Sequence, residues 1–161
     1  MSQASSASLA QGYAPPSVTQ FSVFLDNRVG KLLELLKVFD NHAACQVCAF
    51  SVQEASDYAV VRIITNSADP TREILRREAL PFSETRLLVV EVTGGHTLSR
   101  LCMYLLGAEI SIQFAYPLML KPNGSPTIAL AVDDMILAGQ ILRKKEFKLL
   151  GEADLPGPAC M

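Results

Sequence analysis

No run of apolar residues in this 161-residue chain approaches the ~20 that a membrane-spanning helix requires, so no membrane anchor is expected. Charge is sparse as well. Only 19% of residues are charged and the net charge is −2, which gives no general attraction to nucleic acid or an anionic membrane. The first residues lack the basic region and apolar core of a secretion signal. The four cysteines (Cys45, Cys48, Cys102, Cys160) therefore point to a reducing, cytoplasmic setting. Neither a phosphate-binding glycine loop, a Ser-His-Asp order nor a carboxylate pair in an obvious cleft occurs, so no catalytic residue is nominated and no enzyme is expected. Cys45 and Cys48 lie at odd spacing and face opposite sides of a strand, and His96 is the only histidine besides His42. A closed four-ligand metal site is thus not expected, and no cofactor is implied.

What the sequence does contain is periodicity. Residues 1–16, rich in Ser, Ala and Gln, read as a disordered leader, and residues 155–161 as a flexible tail. Between them, Thr19–Leu25 reads as a strand and Lys31–Phe39 as a helix whose leucines form a stripe, with Asp26 or Asn27 available to cap it. Cys45–Val52 and Tyr58–Thr65 read as strands. Asp69-Pro70 marks a helix start, with Asp69 at the cap and Pro70 at the first helical position. Ser83–Val92 is a strand again.

The same order then recurs. Leu98, Leu101, Cys102 and Leu105 sit on one helical face, so Cys102 is expected in the core. Ile110–Leu120 and Thr127–Val132 read as strands, Met135 to about Lys145 as a helix capped by Asp133-Asp134, and Phe147–Leu150 as a last strand. Sliding the chain on itself by about 66 positions sets Leu32 on Leu98 and Leu35 on Leu101, and Cys48-Ala49-Phe50 on Phe114-Ala115-Tyr116. The expected fold is α+β: two fused ferredoxin-like βαββαβ repeats, 17–86 and 87–154, each an antiparallel sheet with both helices on one face. The strand Ser83–Val92 serves both repeats without a linker.

The loop Asp26-Asn27-Arg28-Val29-Gly30, followed by Lys31 and Leu32, carries the most specific signal. With the element order and the duplication, the placing of Asp26, Gly30 and Leu32 resembles the strand-to-helix junction of ACT domains, with Val29 where many members have Pro. The resemblance covers about residues 19–154 and is strongest to stand-alone tandem ACT proteins, related to the regulatory parts of biosynthetic enzymes such as acetolactate synthase. It implies a non-catalytic regulatory protein that binds a small, possibly branched-chain, amino acid between ACT units. It also implies a homodimer and a biosynthetic enzyme as partner.

The physics of the loop suits that ligand. A helix N-terminus attracts the carboxylate, and Gly30 allows close backbone approach. Arg28 adds a charge-assisted bond, and Asp26 or Asn27 takes the ammonium. Because the resemblance places ligands between units, Gln113 on strand 2 of the second repeat is expected opposite. The matching loop there, Gly94-Gly95-His96-Thr97, can present amides as an anion nest but has Val92 at the Asp26 position, so one strong site is expected rather than two.

Three other readings compete. An RNA-binding module needs an aromatic platform on its central strands, and Val60-Val61-Arg62-Ile63 supplies none. A phosphatase-like enzyme needs an Arg-bearing phosphate loop in a glycine-rich setting, and only Arg28 fits. A ligand-free assembly module remains the serious alternative. Arg76-Arg77-Glu78 and Arg143-Lys144-Lys145-Glu146 read as solvated helix faces.

Overall fold

The computed structural model describes residues 14–156; the expected tail beyond 156, with Cys160, and most of the expected leader lie outside these residues. Among the described residues the elements follow in the order β1 (Val18–Asp26), α1 (Lys31–Asp40), β2 (Val47–Glu54), β3 (Tyr58–Thr65), α2 (Ala68–Arg77) and β4 (Phe82–Glu91). The second series is α3 (Leu98–Gly107), β5 (Ile112–Pro117), β6 (Thr127–Val132), α4 (Met135–Lys144) and β7 (Leu149–Leu150). Among the described residues none of the helices is long and apolar enough to cross a membrane.

All seven strands join one curled antiparallel sheet in the order β2-β3-β1-β4-β6-β5, with β7 also on β4. β4 is shared by both halves of the sheet. Its residues 82–87 pair with β1, and its residues 88–91 pair with β6, with Val89 and Val90 also opposite β7. Each half-sheet thus has the strand order of a split βαβ unit.

The two-residue period of a strand sends alternate side chains to opposite faces. In β4, Leu88 and Val90 enter a core under α3 and α4 with Leu101, Leu105 and Leu142. Leu87 and Val89 turn the other way, to Val18, Ile64, Ala129 and Ala131. Repeat 1 has its own helix-covered core, in which Phe21, Val23 and Ile63 meet Leu35, Phe39 and Leu75. The third core therefore lies between the two half-sheets and closes the face that a lone βαββαβ unit leaves open. Each large apolar side chain buried there contributes roughly 1.5–3 kcal/mol, which a separated repeat would forfeit.

Several expected boundaries shift for local reasons. α1 begins at Lys31 with Gly30 as its cap residue and no side-chain cap, because Asp26 and Asn27 lie too far upstream to reach its first amides. α2 begins at Ala68, which puts Pro70 at the third helical position; Asp69 binds Arg72 at 2.8 Å rather than capping, and the Ala68 amide goes to the Glu152 carboxylate. Asp134 does cap α4, accepting the Leu137 amide at 2.9 Å, while Asp133 accepts the Ser111 amide at 3.0 Å. β5 stops at Pro117, after which the Met119 amide crosses to the Cys48 carbonyl at 2.9 Å. Cys102 is exposed rather than core: α3 buries only Leu101 and Leu105, a narrower stripe than its sequence offers.

Three helices end alike. Ala79, Glu109 and Glu146 adopt left-handed φ values of 53°, 57° and 65° just past α2, α3 and α4. The next amides, of Leu80, Ile110 and Phe147, return to the Leu75, Leu105 and Leu142 carbonyls at 2.9 to 3.1 Å. This is the Schellman closure; Ile110 and Phe147 are then buried in the core under α3 and α4, and Leu80 packs against the core of repeat 1.

Candidate functional site

The chain leaves β1 at Asp26 and enters α1 at Lys31 through a turn that ends on Gly30, whose φ of 91° is one that L side chains rarely adopt. An added Cβ at Gly30 would meet nothing within 4 Å, so the glycine is needed for its backbone angle and not for space. Because no side chain caps α1, the amides of Leu32 and Leu33 have no acceptor among the described residues. They form the partly positive end of the helix.

Beside this end lies a cleft of about 180 Å³ whose rim is built from Asp26, Asn27, Arg28, Lys31 and Glu54. Leu25, Leu32, Val52 and Val61 form its apolar wall. Charges of both signs meet at the rim. Arg28 binds Asp26 at 3.0 Å, Lys31 binds Glu34 at 3.2 Å, and the Asn27 amide group donates to Glu54 at 3.0 Å. These partners are largely solvent-exposed, and such pairs are worth about 0–1 kcal/mol, so a ligand can displace them at little cost. A zwitterion needs this combination: cations and free amides for its carboxylate, and carboxylates for its ammonium.

Of the residues expected here, Asp26, Asn27 and Arg28 line the cleft, whereas Val29 is fully exposed and Gly30 contributes its conformation alone. Gln113 does not line it; it sits exposed at the irregularity of β5 between Ile112 and Phe114, and every cleft residue comes from repeat 1. Lys31, Val52 and Glu54 were not anticipated. The proximity of Val52 and Glu54 follows from the β2–β3 register, in which Glu54 faces Ala59, and local sequence carries no signal for it.

The second loop is folded onto itself. Thr93 and His96 exchange backbone hydrogen bonds at 3.0 and 3.2 Å, and the His96 Nδ1 lies 3.3 Å from the Thr93 hydroxyl. The His96 ring stands edge-on to Phe147 at 4.8 Å, Arg100 donates to the Gly95 carbonyl at 3.1 Å, and Thr97 caps α3 by accepting the Arg100 amide. The amide of His96 is thereby spent within the turn, and Gly94 and Gly95 serve a compact corner.

Residues 16–156 match the family model of the ACT domain pair. Among solved structures, protein BT0572 from Bacteroides thetaiotaomicron superimposes with a TM-score of 0.76 at 20% identity, covering 87% of this chain and 96% of that one. At that identity the likeness speaks to the fold alone. A protein from Galdieria sulphuraria, 14% identical, covers 83% of this chain and 96% of its own with a TM-score of 0.36. No curated protein matches the chain.

Proposed function

The chain belongs to the family of ACT domain pairs, and we propose that it is a non-catalytic regulatory protein that binds a free amino acid in the cleft beside its first loop. The observation that carries this reading is the mixed-sign rim of Asp26, Arg28, Lys31 and Glu54 next to unpaired helix amides. The wall of Leu25, Leu32, Val52 and Val61 suits a small aliphatic side chain, in line with a branched-chain ligand. Binding would act on a partner biosynthetic enzyme by favouring one arrangement of the protein over another, which requires different affinity in the two.

A homodimer fits the surface of repeat 2. α3 turns Met103 (56% exposed) and Leu106 (75% exposed) to solvent, where the equivalent positions of α1 hold Lys37 and Asp40. Beside α3, β5 ends the sheet path with an open edge. The same apolar face supports the second reading, a ligand-free assembly module, as does the self-closed second loop.

A thermal-shift screen of the proteinogenic amino acids on the wild type and on Gly30→Asp separates the two. A ligand at ~100 times its dissociation constant should add about 2.7 kcal/mol, a rise of several degrees. A response confined to one chemical class and lost in Gly30→Asp supports the sensor. No response from any amino acid in the folded wild type leaves the assembly module.

A further inference from the structure

We propose that the pocket at the C-terminal end of α1 is a second binding site, made for a small molecule with an apolar body and a cationic amine head. The pocket holds about 620 Å³, within the ~300–1,000 Å³ of small-molecule sites and well above the cleft at the other end of the same helix. Its apolar wall is Leu36, Phe39, Val47, Phe50 and Met119. Met119 belongs to repeat 2 and is fastened by its amide to the Cys48 carbonyl at 2.9 Å, so the wall is complete only with the two repeats joined.

Among the described residues, the polar side of the pocket carries the negative charge of Asp40 and no lysine or arginine. Asp40, the last residue of α1, contributes an exposed carboxylate that enters no ion pair among the described residues. The helix end adds its partial negative charge. Asn41 and His42 donate their amides to the Lys37 and Phe39 carbonyls, while the carbonyl of Asp40, a lining residue, has no donor among the described residues. His42, also on the lining, has a buried Nδ1 without a hydrogen-bond partner, a deficit that a turned ring could make good against a ligand donor. An anionic head would meet repulsion here and an ammonium attraction. α1 thus offers opposite polarities at its two ends: a carboxylate suits the N-terminal cleft, and an amine suits this pocket. This inference stands apart from the reading of the first loop.

The test is an amide-resolved NMR titration of the full chain with 2-phenylethylamine, 2-phenylethanol and 3-phenylpropionate, which share an apolar body and differ in head charge. The amine should saturably shift the amides of residues 39–50 and of Met119. It should bind up to about fivefold more tightly than the alcohol, the yield of one partly exposed charge interaction, and the carboxylate should not bind. Asp40→Asn, a surface change whose folding is read from unshifted signals elsewhere, should remove that advantage and leave the alcohol unaffected. Equal binding of the carboxylate, shifts confined to residues 26–32, no saturable shift from the amine, or an Asp40→Asn variant that binds the amine like wild type would each overturn the proposal. The amino-acid sensor is scored separately, by amino acids and at residues 26–32, so either idea can fail alone.

Discussion

The phenol of Tyr116 on β5 donates a 2.6 Å hydrogen bond to the side-chain carbonyl of Gln20 on β1, tying the two repeats together through the buried space between their half-sheets. Gln20 is 1% exposed, and its amide group donates to Ser22 at 3.1 Å. Removing the hydroxyl leaves a buried acceptor without a donor. Tyr116→Phe should therefore cost about 1–3 kcal/mol in chemical denaturation, and Gln20→Leu in that background should recover part of the loss, because the stranded acceptor is gone. A Tyr116→Phe variant as stable as wild type would mean that water already serves Gln20.

Alkaline pH should weaken the fold through its buried thiols and phenol. Burial pushes the Cys48 thiol up from 9.0 to about 11, and raises Cys45 despite its contact with Thr71. Burial raises the Tyr116 phenol as well, against a smaller opposing pull from Arg62. A raised acid holds its proton longer when folded, so the stability it contributes is complete below its unfolded pKa and is lost as pH climbs to the folded value. The Cys48 share should vanish between pH 9.0 and about 11. In denaturation at stepped pH, Cys48→Ala should start less stable and fall less steeply across that window; an unchanged slope would assign the loss elsewhere.

The left-handed residues that close α2, α3 and α4 are not glycines. A Cβ in that conformation costs roughly 1–2 kcal/mol, partly offset by the greater freedom of unfolded glycine. Glu109→Gly and Glu146→Gly should each add about 0.5–1 kcal/mol and raise the melting temperature by a few degrees. Gly30→Ala should do the reverse, since it puts a Cβ on a φ of 91°. Differential scanning calorimetry of the three variants reads both signs.

The exposed ridge of α3 gives a prediction about assembly. If copies meet on this face, Leu106→Glu should lower the molar mass seen by light scattering from dimer to monomer without reducing helix content. Lys37→Glu, on the solvent-directed counterpart in α1, should leave the mass unchanged. A wild type that is already monomeric removes the dimer from the proposed mechanism.

Element order and the ferredoxin-like repeats were legible because each core stripe follows from period. Tyr58–Thr65 and Thr127–Val132 are strands with the expected ends, and Leu35 and Leu101 are buried as their shared alignment implies. Caps were less legible. The side chains of Asp26 and Asp69 have the right chemistry for capping, but each found a nearby arginine, and the Ala68 amide found Glu152 from the far end of the chain. Cys102 is exposed for a different reason: a helical face shows which residues can be buried, and the width of the partner surface decides which are. The cleft was half legible, since Asp26, Asn27 and Arg28 are local to the loop, whereas Val52 and Glu54 arrive there through strand pairing.

The double duty of β4 also limits how copies of this chain can exchange parts. Repeats held by a flexible tether meet at a finite effective concentration, set by tether length, and can trade places with those of a neighbour by reopening the hinge. Here residues 82–87 and 88–91 are consecutive stretches of one strand, each paired to a different repeat, so no flexible tether lies between the repeats to reopen. Swapping a repeat into another molecule would mean unzipping β4 from both β1 and β6, and crowding or high concentration should not drive it. A ligand bound as proposed would therefore act on the two repeats as one body, by a change in sheet curl or in contact with a partner, and not by letting them drift apart.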